Sequence, residues 1–152
     1  MDKLFMFIAT GAYSGYLPKA PGTWGSLLGV LLWISGLYRL APEVYAGVLA
    51  GILLVGTIAA GAAEKLVDRG DPGLVVIDEI LGQLIALALA PRHPATALVG
   101  FGLFRFFDIL KPFPVSWLDR HIHGGLGIML DDVMAGIYAF LALQGLILLT
   151  GN

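Results

Sequence analysis

The chain has 152 residues and no cysteine. Disulfides, thiolate metal sites and a cysteine nucleophile are excluded together. Charge is scarce as well: 13% of residues are Asp, Glu, Lys or Arg, against about 25% in a typical soluble domain. Nine basic residues face eleven acidic ones, a formal net charge of −2. That balance offers no basic surface for a nucleic acid, and no nucleic-acid partner is expected.

Apolar residues are plentiful. They make up 58% of the chain, and the mean hydropathy is +0.86. A soluble domain of this size has too much surface for its volume to hide them. Lipid is the solvent they fit, so the expectation is one all-α integral membrane domain over residues 1–152, without repeats or low-complexity linkers. The N-terminal stretch carries Lys3 and a short apolar run. Lys19 and two prolines follow where a small-residue cleavage site should lie, so it reads as a poor signal peptide and the chain as unprocessed.

A spanning helix needs roughly 20 mostly apolar residues, with ~17 near the lower limit. Five segments approach this: Trp24–Leu40, Val44–Ala63, Leu74–Ala90, Ala95–Ile109 and Ile128–Leu149. Leu4–Thr10 is too short and reads as an interfacial or re-entrant piece. Ala41-Pro42, Arg69-Gly70-Asp71-Pro72-Gly73, Pro91-Arg92-His93-Pro94 and Lys111-Pro112-Phe113-Pro114 punctuate the series.

Five alternating spans bring four polar stretches to one face: PKAPGTWGS, DPGLVVIDE, FRFFDILKPFP and GGLGIMLDD. Lys3, Lys19, Lys65, Arg69, Arg105, Lys111 and Arg120 share that face, leaving only Arg39 and Arg92 opposite. Lys and Arg accumulate on the cytoplasmic side, so the polar face is expected there.

Acids inside spans are costly, about 2.5–3.5 kcal/mol near a helix centre. Asp78, Glu79, Asp108, Asp131 and Asp132 all lie in apolar segments, close to helix ends. Crowded together they repel, and something positive must compensate. Arg105 and Lys111 supply part of that charge; a hard divalent cation on carboxylate oxygens would supply more. Adjacent acids point ~100° apart on a helix, so each pair either faces a shared cleft between helices or divides its roles. Arg105, Asp108 and Lys111 recur at i, i+3 on one helix face. They read as a salt-bridge ladder or as an anion clamp in which Arg forks onto phosphate oxygens.

Pro21-Gly22-Thr23-Trp24-Gly25-Ser26 opens the first span with a helix N-terminus suited to an anion. Thr23 and Ser26 offer hydroxyls, Lys19 a headgroup contact; a plain helix cap explains the same residues. His121 and His123 read as a solvated or headgroup-facing loop. Glu64, Lys65, Asp68 and Arg69 read as the solvated end of the second span.

The stretches GYLPKAPGTWGSLLG, DPGLVVIDEILGQ, FRFFDILKPFP and GGLGIMLDDVMAGIYA, in this order and spacing, resemble the motif set of bacterial phosphatidylglycerophosphatase A. The resemblance extends from about Gly15 to Ala139. It implies removal of the terminal phosphate of phosphatidylglycerophosphate, a phospholipid substrate, Mg²⁺ dependence and a multi-pass place in the bacterial inner membrane. It also makes Asp78, Glu79, Asp108, Asp131 and Asp132 the leading catalytic positions, with Arg105, Lys111 and Thr23 beside them. The mechanism expected on that basis holds Mg²⁺ on Asp78, Glu79 and one or both of Asp131 and Asp132. Arg105, Lys111, Thr23 and Lys19 bind the phosphate, and Asp108 or a spare carboxylate activates water. A covalent aspartyl-phosphate remains the open alternative.

The competing class is a small cation-coupled transporter, since membrane-embedded acids also pass cations. Charges near the midplane would favour transport; clustering near one face favours headgroup chemistry. No DGxxAR run points to a phosphatidyltransferase.

Overall fold

The computed structural model describes residues 1–70 and 72–150. Asp71, part of the expected turn, and the side chain of Asp119 lie outside the described set.

The described residues form helices and turns only. Seven α-helices follow one another: α1 Asp2–Ala9, α2 Pro21–Ser35, α3 Pro42–Val67, α4 Ile77–Ala86, α5 Pro94–Leu110, α6 Val115–His121 and α7 Gly124–Thr150. Proline opens α2, α3 and α5, where its missing N–H costs nothing and its fixed φ suits a first turn. His93 caps α5, its Nδ1 accepting from the Ala95 N–H at 3.2 Å. Lys111 ends that helix with φ 44°, and Pro112 follows.

Two helices, α3 with 26 residues and α7 with 27, are long and apolar enough to cross a bilayer. The Trp24–Leu40 segment is helical only from Pro21 to Ser35, and a 3₁₀ turn at Leu37–Arg39 follows. The greatest departure is Leu74–Ala90, expected to be a span. Its helix, α4, has ten residues, about 15 Å at 1.5 Å per residue, half the ~30 Å hydrocarbon thickness. Its approach is a turn instead, closed by the Val75 N–H on the Pro72 carbonyl at 2.8 Å, and the Val76 N–H donates to the Ala9 carbonyl at 2.9 Å, which ties the approach to the end of α1. Beyond α4, Leu89 adopts φ 57°, which ends helical geometry.

α4 is the hub. It packs on α2, α3, α5 and α7, and Asp78, Ile80, Leu81, Gly82, Gln83, Leu84 and Ala86 are buried. Tyr45 of α3 donates its hydroxyl to the Leu84 carbonyl at 2.6 Å. Gln144 of α7 donates to the Ala88 carbonyl at 2.9 Å. These bonds satisfy carbonyls at the end of α4 that its own helix leaves free.

α1 does not span either. Ala9 joins Ala59, Ala60 and Ala63 of α3, with Val75 and Ile128, in a small-residue cluster. α6 is a short helix where a loop was expected. Trp117 and His121 stack on it, ring centroids 4.8 Å apart, and the His121 ring nitrogen lies 2.8 Å from the Trp117 carbonyl.

The surface is apolar and the interior partly polar. Leu54, Ile58, Leu98, Leu141 and Leu148 face outward, while Ser26, Asp78, Gln83, Asp131 and Asp132 are buried. A bundle in lipid distributes its side chains this way: apolar outside, ionisable groups toward the interior.

Candidate active site

Helix termini converge at one end of the bundle, and glycine lets them come close. A Cβ on Gly136 of α7 would overlap the Gly82 backbone of α4, its Cα at 3.0 Å. A Cβ on Gly82 would meet the Asp132 carbonyl at 2.7 Å and run into the Phe104 ring. α7 therefore lies directly on α4, and Asp132 reaches the first turn of α4, where Asp78 and Glu79 sit. On the other side of α4, a Cβ on Gly22 of α2 would come within 3.0 Å of Arg105 Nη1 and closer still to Glu79 Oε1.

The result is a carboxylate triad. One oxygen each from Asp78, Glu79 and Asp132 lies within 4.8 Å of the others. Asp78 and Asp132 are 8% and 3% exposed, so water screens them little. Asp78 Oδ1, Glu79 Oε2 and Asp132 Oδ2 are buried without a hydrogen-bond partner among the described residues. Orphaned buried carboxylate oxygens are expensive, and three carboxylates that converge fit a hard cation that takes oxygen ligands.

Cationic side chains border the triad. Arg105 Nη1 pairs with Asp108 Oδ2 at 2.5 Å and donates to Ser26 Oγ at 3.4 Å. Ser26, fully buried, donates in turn to the Gly22 carbonyl at 2.8 Å. Asp108 also lies near enough to Asp132 for their charges to interact, joining the Arg105 pair to the triad.

Asp131 departs from the expected grouping. Its Oδ2 accepts from Lys111 Nζ at 2.6 Å, and its Oδ1 accepts from the Asp132 N–H at 3.0 Å. One residue of helical rotation thus sends Asp132 to the triad and Asp131 to Lys111. Thr23 is half-buried on the first turn of α2, beside Gly22, and Lys19 is exposed before it with φ 63°. Neither enters the triad.

One polar residue escaped the sequence reading. Gln83, one turn beyond Glu79, is fully buried with both side-chain polar atoms unpartnered among the described residues. A lone amide in the apolar run ILGQLIALALA was the available signal.

A family model described as Phosphatidylglycerophosphatase A matches residues 7–147. The chain belongs to the phosphatidylglycerophosphatase A family. A Haemophilus influenzae protein named Phosphatidylglycerophosphatase A is 41% identical over 133 residues, 87% of this chain and 82% of the relative. An Escherichia coli protein of the same name is 35% identical over 138 residues, 90% of this chain and 80% of the relative. A Bacteroides thetaiotaomicron protein, provisionally named a phosphatidylinositol-3-phosphatase, is 38% identical over 142 residues, 90% of this chain and 89% of the relative. No solved structure matches the chain. All four polar stretches that build the site lie inside the matched region, and membership makes the chain a phosphatase-family enzyme.

Proposed function

We propose that this protein hydrolyses phosphatidylglycerophosphate to phosphatidylglycerol and inorganic phosphate, and that it does so at the Asp78–Glu79–Asp132 triad with Mg²⁺. The observation that carries the reading is the triad itself: two buried carboxylates and a half-buried one, each with a buried, orphaned oxygen, beside an arginine, in a chain of this family.

Asp78, Glu79 and Asp132 would hold the cation, whose chemistry is to neutralise phosphate charge and polarise the phosphorus centre. A phosphomonoester anion resists attack, so catalysis needs charge neutralisation and alignment. Arg105 binds two phosphate oxygens through its fork, with Ser26 holding its orientation. Lys111, steered by Asp131, adds a point charge. Asp108 accepts the proton of the attacking water as the water oxygen bonds to phosphorus and the P–O bond to the lipid breaks. It returns that proton to the departing alkoxide. Asp131 is a positioning residue in this scheme and no longer a cation ligand. The Gly22–Thr23 turn of α2 offers N–H groups to the same phosphate.

In a bilayer, α5, with 17 residues, and α2, lengthened by the 3₁₀ turn Leu37–Arg39, accompany α3 and α7 across, and α4 enters part-way, surrounded by the others. The site then faces the cytoplasm, where most Lys and Arg residues lie.

The test is phosphate release by purified, detergent-solubilised protein, with Mg²⁺ or with chelator. Phosphatidylglycerophosphate, phosphatidic acid and phosphatidylinositol 3-phosphate serve as substrates. Mg²⁺-dependent release is expected from the first, with Asp78→Asn and Asp132→Asn inactive although inserted. Preference for either other lipid would redirect the assignment, and equal activity under chelator would remove the cation.

A further inference from the structure

A second polar cavity adjoins the triad. It encloses about 190 Å³ and is lined by Glu64, Ile122, His123, Asp131 and the glycines Gly70, Gly124 and Gly127, with Ile128. Asp131 joins the two: it lines the cavity, and its carboxylate accepts from Lys111 and from the N–H of Asp132. Glu64 reaches in from the end of α3. Its carboxylate oxygens stand 3.8 Å and 3.7 Å from where Cβ atoms on Gly70 and Gly124 would be. The glycines keep the walls low, and a Cβ on Gly127 would strike the Ile122 carbonyl.

The lining selects its ligand. The Glu64 carboxylate repels a second phosphate or a phosphodiester; Asp131, already paired with Lys111, adds no net positive charge, and the single imidazole does not offset Glu64. Carboxylate oxygens and a backbone carbonyl are acceptors, suited to a neutral group that donates. A hydroxyl of a small polyol has that chemistry. Resting on the activity proposed above, the substrate supplies such a group at the right place. Its terminal phosphate and its phosphodiester are joined by a three-carbon glycerol unit bearing one free hydroxyl. With the terminal phosphate at Arg105 and Lys111, the next part of the headgroup lies beside Asp131.

We infer that this cavity is a hydroxyl-recognition subsite for the headgroup glycerol, and that Glu64 and His123 are specificity residues. The site then distinguishes a phosphate carried on a polyol from one carried directly on diacylglycerol. Loss of the ligand hydroxyl would leave the half-buried Glu64 carboxylate without that partner, which is how a site built to hydrogen-bond a hydroxyl discriminates against its deoxy analogue.

The experiment compares phosphatidylglycerophosphate with its deoxy analogue, in which propanediol replaces the glycerol. Wild-type kcat/KM should favour the hydroxylated lipid by about tenfold or more, the range of a hydrogen bond to a charged group. Glu64→Ala and His123→Ala should each bring that ratio toward one through the hydroxylated lipid, with turnover of the deoxy lipid reporting folded enzyme. Equal wild-type rates on both lipids overturn the inference. So does an unchanged ratio in both variants, or an equal loss on both lipids. Release from neither lipid by the wild-type protein overturns the proposed activity, and the subsite with it.

Discussion

Gly136 of α7 rests against the backbone of Gly82 of α4, with no room for a methyl group between them. This crossing sets the depth at which Asp132 meets Asp78 and Glu79. Helix packing in lipid relies on such small-residue contacts because the hydrophobic effect does not drive helices together there.

Gly136→Ala therefore forces α7 away from α4. The expected loss is about 1–3 kcal/mol of stability from overpacking, with activity falling further than stability because a displaced carboxylate leaves the triad. Thermal midpoint and turnover measured on one preparation check this. Gly145→Ala, at a position with open space around it, should leave both near wild type.

Arg105 meets Asp108 and Ser26 at once. Arg105→Lys keeps the charge but loses the fork. A fall of about 10²-fold in kcat/KM is expected, the scale of losing one oriented donor to a reacting anion. Ser26→Ala, which removes only the support, should cost less. Steady-state kinetics on both variants would show the order.

Lys111 and Asp131 form a pair whose side chains are 29% and 9% exposed. Removing either leaves a partly buried charge, so the double variant should be destabilised by less than the sum of Lys111→Met and Asp131→Asn. The coupling expected is about 0.5–3 kcal/mol, toward the lower end because Lys111 is partly solvated. A double-mutant cycle by denaturant titration in micelles measures it. Strict additivity would dissolve the pair.

The absence of native cysteine makes topology directly measurable. A membrane-impermeant maleimide should label Ala95→Cys in intact spheroplasts and Lys65→Cys only after permeabilisation. Labelling of both from outside would contradict the orientation proposed for the site.

Much of the site was readable because charge in an apolar run has few explanations. Asp78, Glu79, Asp108 and Asp132 stood out against the hydropathy, and alternating direction carried them to one end. The division of Asp131 from Asp132 was not readable: both sit in one helix, and only the Gly82–Gly136 contact fixes which one turns toward α4. The length of α4 was hidden for a similar reason. Leu74–Ala90 has a span's composition, but the bond from Val76 to Ala9 and the backbone at Leu89 are tertiary and local-conformational facts that composition does not carry. The cavity under Glu64 and His123 was missed because residues from α3 and α7 line it together, far apart in sequence and each unremarkable alone.

The central claim is that Asp78, Glu79 and Asp132 jointly hold one divalent cation. Titration of purified wild-type protein with Mn²⁺, followed by electron paramagnetic resonance, tests it without reference to turnover. The account predicts saturable binding that weakens at least tenfold in Asp78→Asn, Glu79→Gln and Asp132→Asn but stays close to wild type in Asp131→Asn. Undiminished binding in the three triad variants, or none in the wild-type protein, would contradict it.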